Sequence, residues 1–258
     1  MIWIYIDDND PVAKKIFLEL KNKLVLSTEI QDSYTIYRSN EFSIIHSPIN
    51  HLKADFVEEI LKKEEVECLV FPSIHKSEKN IKSLTVHTTG NFSNNPFGGM
   101  SYKLSIAAPI QMRKALIYMN AHKIDGYNVS YEATHHGPTI NIPLFFIESG
   151  STEKEWNDPN AHQIILGAIL NLKKDNAENE CKVSIGIGGG HYAPRFTDYA
   201  IKKNICYGHI MPQFKFEEFT DAIGIEMINK TPQAQFVSYH GNVPEKIKKY
   251  FEGKLATL

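Results

Sequence analysis

The chain has 258 residues, 42% of them hydrophobic and 22% charged, with a formal net charge of −2. That length suits one large α/β domain or two small ones, and no stretch of the composition forces a linker between two. The near-neutral charge balance excludes a global positive field, so a polyanion has to be held by local patches, and no apolar run approaches the roughly 18 residues of a membrane span.

Residues 2–6 read as a buried strand, after which Asp10 caps and Pro11 opens a helix carrying Val12, Ile16 and Leu20 inward. A strand is expected over 42–46, a helix over 54–63 with Phe56, Ile60 and Leu61 inward, and further apolar strands over 66–72 and 83–87. This alternation of strand and helix predicts an α/β fold with a mostly parallel sheet and helices on both faces. Residues 88–102 change to Gly, Asn, Ser and Pro, the composition of a long binding loop or lid. A helix over 109–119, an alternating strand over 127–133 and a central strand over 143–148 follow. Thr152 and Glu155 have the spacing of a capping box, read as the start of a buried helix over 161–172.

Residues 181–195, Cys-Lys-Val-Ser-Ile-Gly-Ile-Gly-Gly-Gly-His-Tyr-Ala-Pro-Arg, are the organising stretch. A strand empties into three glycines and then presents a histidine, a tyrosine and an arginine. Glycines at a strand end let backbone approach a ligand and leave amides free for an anion or oxyanion. The spacing fits neither a phosphate-binding Gly-Lys-Ser/Thr loop nor a dinucleotide fingerprint. A helix over 194–203, a strand over 205–210, a mostly helical stretch over 214–228, a strand over 235–239 and a closing helix over 244–251 complete the chain. Cys68, Cys181 and Cys206 are far apart with no C-x-x-C, so they are expected to be reduced core residues of a cytoplasmic protein. The acidic turn after residue 6 gives no sign of a signal peptide.

Six of the eleven histidines fall where strands end: His87, His135, His136, His191, His209 and His240. In a parallel α/β sheet such positions converge on one crevice. A histidine beside Glu132 or Glu148 can act as a general base, and two or three imidazoles with a carboxylate can equally hold Zn²⁺. The sequence leaves those alternatives open. His135 and His136, if extended, point to opposite faces, so one of them is expected to reach a site. Arg195 is a candidate for phosphate and Tyr192 for stacking on a base.

Several blocks occur in one order: Thr-Val-His-Thr-Thr-Gly-Asn at 85–91, Ala-Thr-His-His-Gly-Pro at 133–138, Ile-Glu-Ser-Gly-Ser-Thr-Glu-Lys-Glu-Trp at 147–156, Gly-Ile-Gly-Gly-Gly-His-Tyr-Ala-Pro-Arg at 186–195 and Cys-Tyr-Gly-His-Ile at 206–210. Together they resemble the archaeal and plant type of D-aminoacyl-tRNA deacylase. The resemblance implies a single domain over 1–258, a three-layer α/β/α fold similar to those of the nucleoside phosphorylases and peptidyl-tRNA hydrolase. It implies hydrolysis of the ester joining a D-amino acid to the 3′ acceptor end of tRNA, in the cytoplasm, by a monomer with zinc as cofactor and no DNA or membrane partner. On that reading His135, His136, Glu132, Glu148 and His191 are catalytic candidates, and His136, His191 and His209 are candidate zinc ligands. His87, Thr88, Thr89, Asn91, Phe92, Tyr192, Arg195 and the amides of Gly188, Gly189 and Gly190 would meet the substrate. A nucleoside phosphorylase-like enzyme and a non-catalytic RNA-binding module are the alternatives.

Overall fold

β1 (Ile2–Asp7) is buried along its whole length, as an apolar strand covered by helices on both faces must be. It lies inside the larger of two sheets in the computed structural model, which describes residues 1–78, 80–94, 97–174 and 181–258. α1 (Pro11–Lys23), β2 (Ser27–Ile30), β3 (Thr35–Arg38), β4 (Phe42–Ser47), α2 (Val57–Leu61), β5 (Cys68–Lys76) and β6 (Ser83–His87) form the first part. α3 (Pro109–His122), β7 (Asn128–Tyr131), β8 (Leu144–Ser151), α4 (Glu153–Trp156) and α5 (Pro159–Asn171) follow. β9 (Lys182–Gly188), α6 (Pro194–Lys203), β10 (Ile205–Met211), α7 (Asp221–Asn229), β11 (Phe236–His240), α8 (Glu245–Phe251) and β12 (Ala256–Thr257) complete it.

The fold is α/β with a mostly parallel mixed sheet in the order β2-β3-β4-β1-β5-β8-β6-β7. Its centre, β4-β1-β5-β8, is parallel throughout. The strands of the last third make a second, parallel sheet, β10-β9-β11-β12. One core cluster spans both: Ile4, Val70 and Phe145 of the first sheet share it with Phe196, Tyr207 and Ile210 beside the second. α3 bridges them, packing on α5 and on β10.

Several local expectations change. The β2–β3 hairpin has no counterpart in the sequence reading, because β2 is exposed on every residue and lacks an apolar period. The helix expected over 54–63 begins as a 3-10 turn, His51–Phe56, and becomes α2 only at Val57, burying Ala54, Val57 and Leu61 while Phe56 and Ile60 stay half-buried. The capping box is real but heads the single-turn α4; α5 has its own cap in Asp158, with Pro159 in its first turn. The stretch over 214–228 divides into a 3-10 segment, Gln213–Glu218, and α7. The loop over 88–102 is present, with Asn95 and Pro96 outside the described residues. Cys181 and Cys206, read as reduced, are joined in a disulfide with a Cα separation of 5.8 Å. The parallel register sets Cys206 beside Val183, which brings the starts of β9 and β10 together. Cys68 is free and buried as expected.

Candidate active site

Histidines and carboxylates meet where the two sheets join. His75 lies near the end of β5, His87 ends β6, Glu132 directly follows β7, and Glu148 sits on β8 in register with Ser73. The turn after β9 lays residues 191–193 along this edge: the Ala133 amide donates to the His191 carbonyl at 2.8 Å and the Ala193 amide to the Tyr131 carbonyl at 2.9 Å. On the other side the Thr134 amide donates to the Ile210 carbonyl at 2.9 Å, and the Ile210 amide donates to Thr134 Oγ1 at 3.1 Å. The segment carrying Glu132 is therefore clamped between the exit of β9 and the end of β10.

His75 Nδ1 is 3.0 Å from Glu132 Oε1 and 3.3 Å from Glu148 Oε2. His191 Nε2 is 3.1 Å from Glu132 Oε2, His135 Nε2 is 3.7 Å from the same oxygen, and His87 Nε2 is 3.5 Å from Glu148 Oε1. The Ser73 hydroxyl donates to Glu148 at 2.8 Å, and the Tyr192 hydroxyl lies 2.9 Å from His75 Nε2. Burial alone would raise both carboxyls. The histidines outweigh it, His191 and His75 at Glu132 and His75 and His87 at Glu148, and hold both well below the usual carboxylate range. Burial would likewise lower His75 and His87, but the two carboxylates push His75 up to about 11 and raise His87 as well. Burial drives His136 down to about 3 and His135 well below its usual value, and the positive charge at His87 lowers both further. A cationic His75, two carboxylates, a His87 raised by them and two imidazoles held neutral thus share one buried cluster. Burying charges costs several kcal/mol per ion, so such a cluster points to chemistry more than to stability.

The cluster also suits a metal. Nδ1 of His87, His135 and His136 faces the carbonyls of Thr88 at 3.1 Å, Ala133 at 2.8 Å and Gly137 at 2.6 Å. A carbonyl only accepts, so each Nδ1 carries a proton and each Nε2 is directed to the cluster, which is how backbone commonly orients ligating histidines. One ring nitrogen from each of the three lies within 4.8 Å of the others, and His75, Glu132 and His191 form a second such group. Both Glu132 oxygens and His87 Nε2 are buried without a hydrogen-bond partner. Imidazoles with one carboxylate are a donor set for Zn²⁺.

Two cavities open beside this ridge. One of about 390 Å³ is lined by His51, His75, His135, His136, Glu148 and His191. The other, about 190 Å³, lies among His135, His136, His191, Phe97, Phe214 and Lys215. The sequence profile of the family described as D-aminoacyl-tRNA deacylase matches residues 62–257, which include all of these except His51. The chain belongs to the D-aminoacyl-tRNA deacylase family. Among relatives of that name, the Staphylothermus marinus protein is 40% identical over 225 residues, 83% of this chain and 81% of the relative. The Pyrococcus abyssi protein is 34% identical over 225 residues, 84% of this chain and 83% of the relative. A crystal structure described as a conserved protein of unknown function has a TM-score of 0.93 to this chain at 27% identity, covering 100% of this chain and 94% of its own.

Within this deacylase-family fold the sequence candidates separate clearly. Glu132, Glu148, His87, His135, His136, His191 and Tyr192 come together as described. Both His135 and His136 line both cavities, against the expectation that only one would, because His136 has a left-handed backbone (φ 42°) and the pair is not extended. His209 is elsewhere: its Nδ1 lies 3.1 Å from Thr134 Oγ1 and its Nε2 3.0 Å from the Ser105 carbonyl, so it braces the clamp and is not a ligand candidate. The Thr89 hydroxyl donates to the Pro138 carbonyl at 2.7 Å and the Asn91 side-chain amide to the Gly98 carbonyl at 2.9 Å, so both are spent on the loop. Thr88 is buried, and Phe92 edges the smaller cavity but is only 2% exposed within the core of the second sheet. Gly188, Gly189 and Gly190 line neither cavity. A Cβ at Gly188 (φ +114°) would stand 1.9 Å from the His240 carbonyl oxygen, so this glycine serves close strand packing and the turn that delivers His191. Arg195 is exposed and donates to the Tyr199 hydroxyl at 2.6 Å.

Sequence reasoning missed His75, Ser73, Phe97 and Phe214. His75 had the signal used for the others, a histidine at the end of an apolar run, but its run continued past the expected boundary. Phe97 and Phe214 are 70% and 64% exposed, and the sequence had no means of setting them against the buried Phe92.

Proposed function

We propose that this chain hydrolyses the ester of D-aminoacyl-tRNA, releasing the free D-amino acid and tRNA, as the family to which it belongs does. The observation that carries the reading is the pair of buried, ionised carboxylates held by histidines that line two neighbouring cavities, Glu148 itself lining the larger. Ester hydrolysis needs a water held and relieved of a proton, and donors for the oxygen that gains charge. The neutral His136 directs Nε2 to the cavities and is the acceptor for the proton of the attacking water. The cationic His75, held by Glu132 and Glu148 and joined through Nε2 to the Tyr192 hydroxyl, sets a positive charge beside the cavity that would favour a developing oxyanion. Phe97 and Phe214 would flank the terminal adenine, since every base offers a face for stacking, and Lys215 beside them would meet a phosphate.

Two groups offer donors for zinc, His75 with Glu132 and His191, which would leave His136 as the proton acceptor, and His87 with His135 and His136, in which His136 would be a ligand instead. When bound, zinc would supply Lewis acidity toward the ester carbonyl and lower the pKa of a water. The reading places the protein in the cytoplasm as a monomer acting on the 3′ acceptor end. No described helix is long and apolar enough to cross a membrane. The test is release of tyrosine from D-Tyr-tRNA and L-Tyr-tRNA by the purified protein, each with and without a zinc chelator. Release from the D ester alone is expected, and loss on chelation would assign the metal a part. No release from either ester would refute the reading.

A further inference from the structure

The lining of the larger cavity includes a second histidine paired with a buried carboxylate, His51 with Asp7. Asp7 ends β1, beside β5 in the sheet, and so stands at the same sheet end as His75. It is 1% exposed, and its Oδ2 lies 3.0 Å from His51 Nδ1. The backbone work at this corner is already done without the imidazole. Asp7 Oδ1 accepts the Asn9 amide at 2.8 Å, and Oδ2 accepts the His51 amide at 3.0 Å and the Asn50 side-chain amide at 3.2 Å. The His51 ring rests edge-on against Phe146, with centroids 5.6 Å apart, and lines the cavity with His75, His136 and Glu148. Among the described residues no hydrogen bond engages its Nε2.

We infer that His51 is a further catalytic residue of the proposed deacylation, the acid that protonates the departing ribose oxygen, with Asp7 as its positioning residue. This inference rests on the function proposed above. In the collapse of the tetrahedral intermediate the bond between the acyl carbon and the ribose oxygen breaks, and the proton on His51 Nε2 moves to that oxygen. The carbonyl re-forms and His51 is left neutral, with its Nδ1 still beside Asp7 Oδ2. The proton taken from the attacking water by His136 balances the one delivered by His51. A base and an acid lining one cavity, each set edge-on against Phe146, divide the two proton transfers without competing for one group.

The experiment measures single-turnover release of tyrosine from D-Tyr-tRNA by the wild type, His51→Ala, His51→Gln and Asp7→Asn, with substrate concentration varied and with added imidazole. Expected are a fall of about 10²–10⁴-fold in the chemical step for both His51 variants with KM within a few-fold, a smaller fall for Asp7→Asn, and partial recovery of His51→Ala with imidazole. A wild type that releases tyrosine while His51→Ala stays within about 3-fold would overturn the role of His51 and leave the deacylase reading standing. A fall in His51→Ala with a lowered Tm and no imidazole recovery would assign it a structural role and overturn the inference too. A wild type inactive on both esters would instead remove the reading beneath it.

Discussion

At the scale of single residues, neighbouring aromatics on one loop have opposite duties. Phe92 is packed with Leu104, Ile187 and Met211 in the second core, whereas Phe97 and Phe214 stand in solvent at the mouth of the smaller cavity. Phe92→Ala is expected to lower stability by about 3–4 kcal/mol in urea unfolding, the cost of emptying a buried phenyl site. Phe97→Ala and Phe214→Ala should each change stability by no more than about 0.5 kcal/mol and raise KM for aminoacyl-tRNA by roughly 10-fold, the loss of one stacked base. The reverse pattern would move the substrate away from this mouth. The histidine cluster has a comparable division, since His209 is as buried as His87 yet is committed to Thr134 and Ser105.

At the scale of elements, the corner where β1 turns into α1 supports the cavity from below. Asp10 Oδ1 accepts the amides of Val12 at 2.8 Å and Ala13 at 3.0 Å, capping α1, and Oδ2 accepts the Ile74 amide at 2.9 Å, one residue before His75. Burial pushes this carboxyl up to about 6, although the three amides oppose it. Its unfolded value is about 3.9, so the folded state binds the proton more tightly and the stabilisation from Asp10 protonation is complete below about pH 4 and lost as pH rises through about 6. Asp10→Asn should therefore compare differently at two pH values. Between pH 7 and pH 5 the unfolding free energy of the wild type is expected to rise relative to that of the variant in urea titrations. A constant difference would remove the shift.

The same scale explains what the sequence made legible. Apolar runs such as those of β1, β5, β8 and β9 announce themselves because both faces are buried. β2 does not, because it meets only β3 and exposes every residue. The motif containing His135 and His136 was legible as chemistry, but the left-handed turn at His136 that aims both rings inward follows from tertiary packing and has no signature in the residue pair. Glycines 188–190 were legible as special for a backbone reason, which for Gly188 is the close approach of the His240 carbonyl and for Gly189 a left-handed turn beside the His240 ring.

At the scale of the whole molecule, the disulfide and the active-site candidate occupy opposite ends of β9: Cys181 precedes the strand and His191 follows it. The bond closes a loop with a sequence separation of 25, for which chain entropy gives about 3.5 kcal/mol. Reduction should lower Tm by roughly 5–10 °C in calorimetry while leaving the rate of ester hydrolysis at moderate temperature unchanged. A rate that fell with reduction at constant fold would tie β9 more closely to the chemistry than its geometry implies.

The clamp around Glu132 has a bearing on synthesis of the protein. The segment carrying the carboxylate is fixed by residues 191–193 and by Ile210, both far downstream in the chain, while its partner His75, and Glu148 beyond that histidine, lie on strands completed earlier. During translation the first sheet can pair its central strands well before β10 emerges, but the acidic segment then has neither of its two flanks. The segment that holds Glu132 therefore gains its two flanks only from the last third of the chain, through residues 191–193 and Ile210.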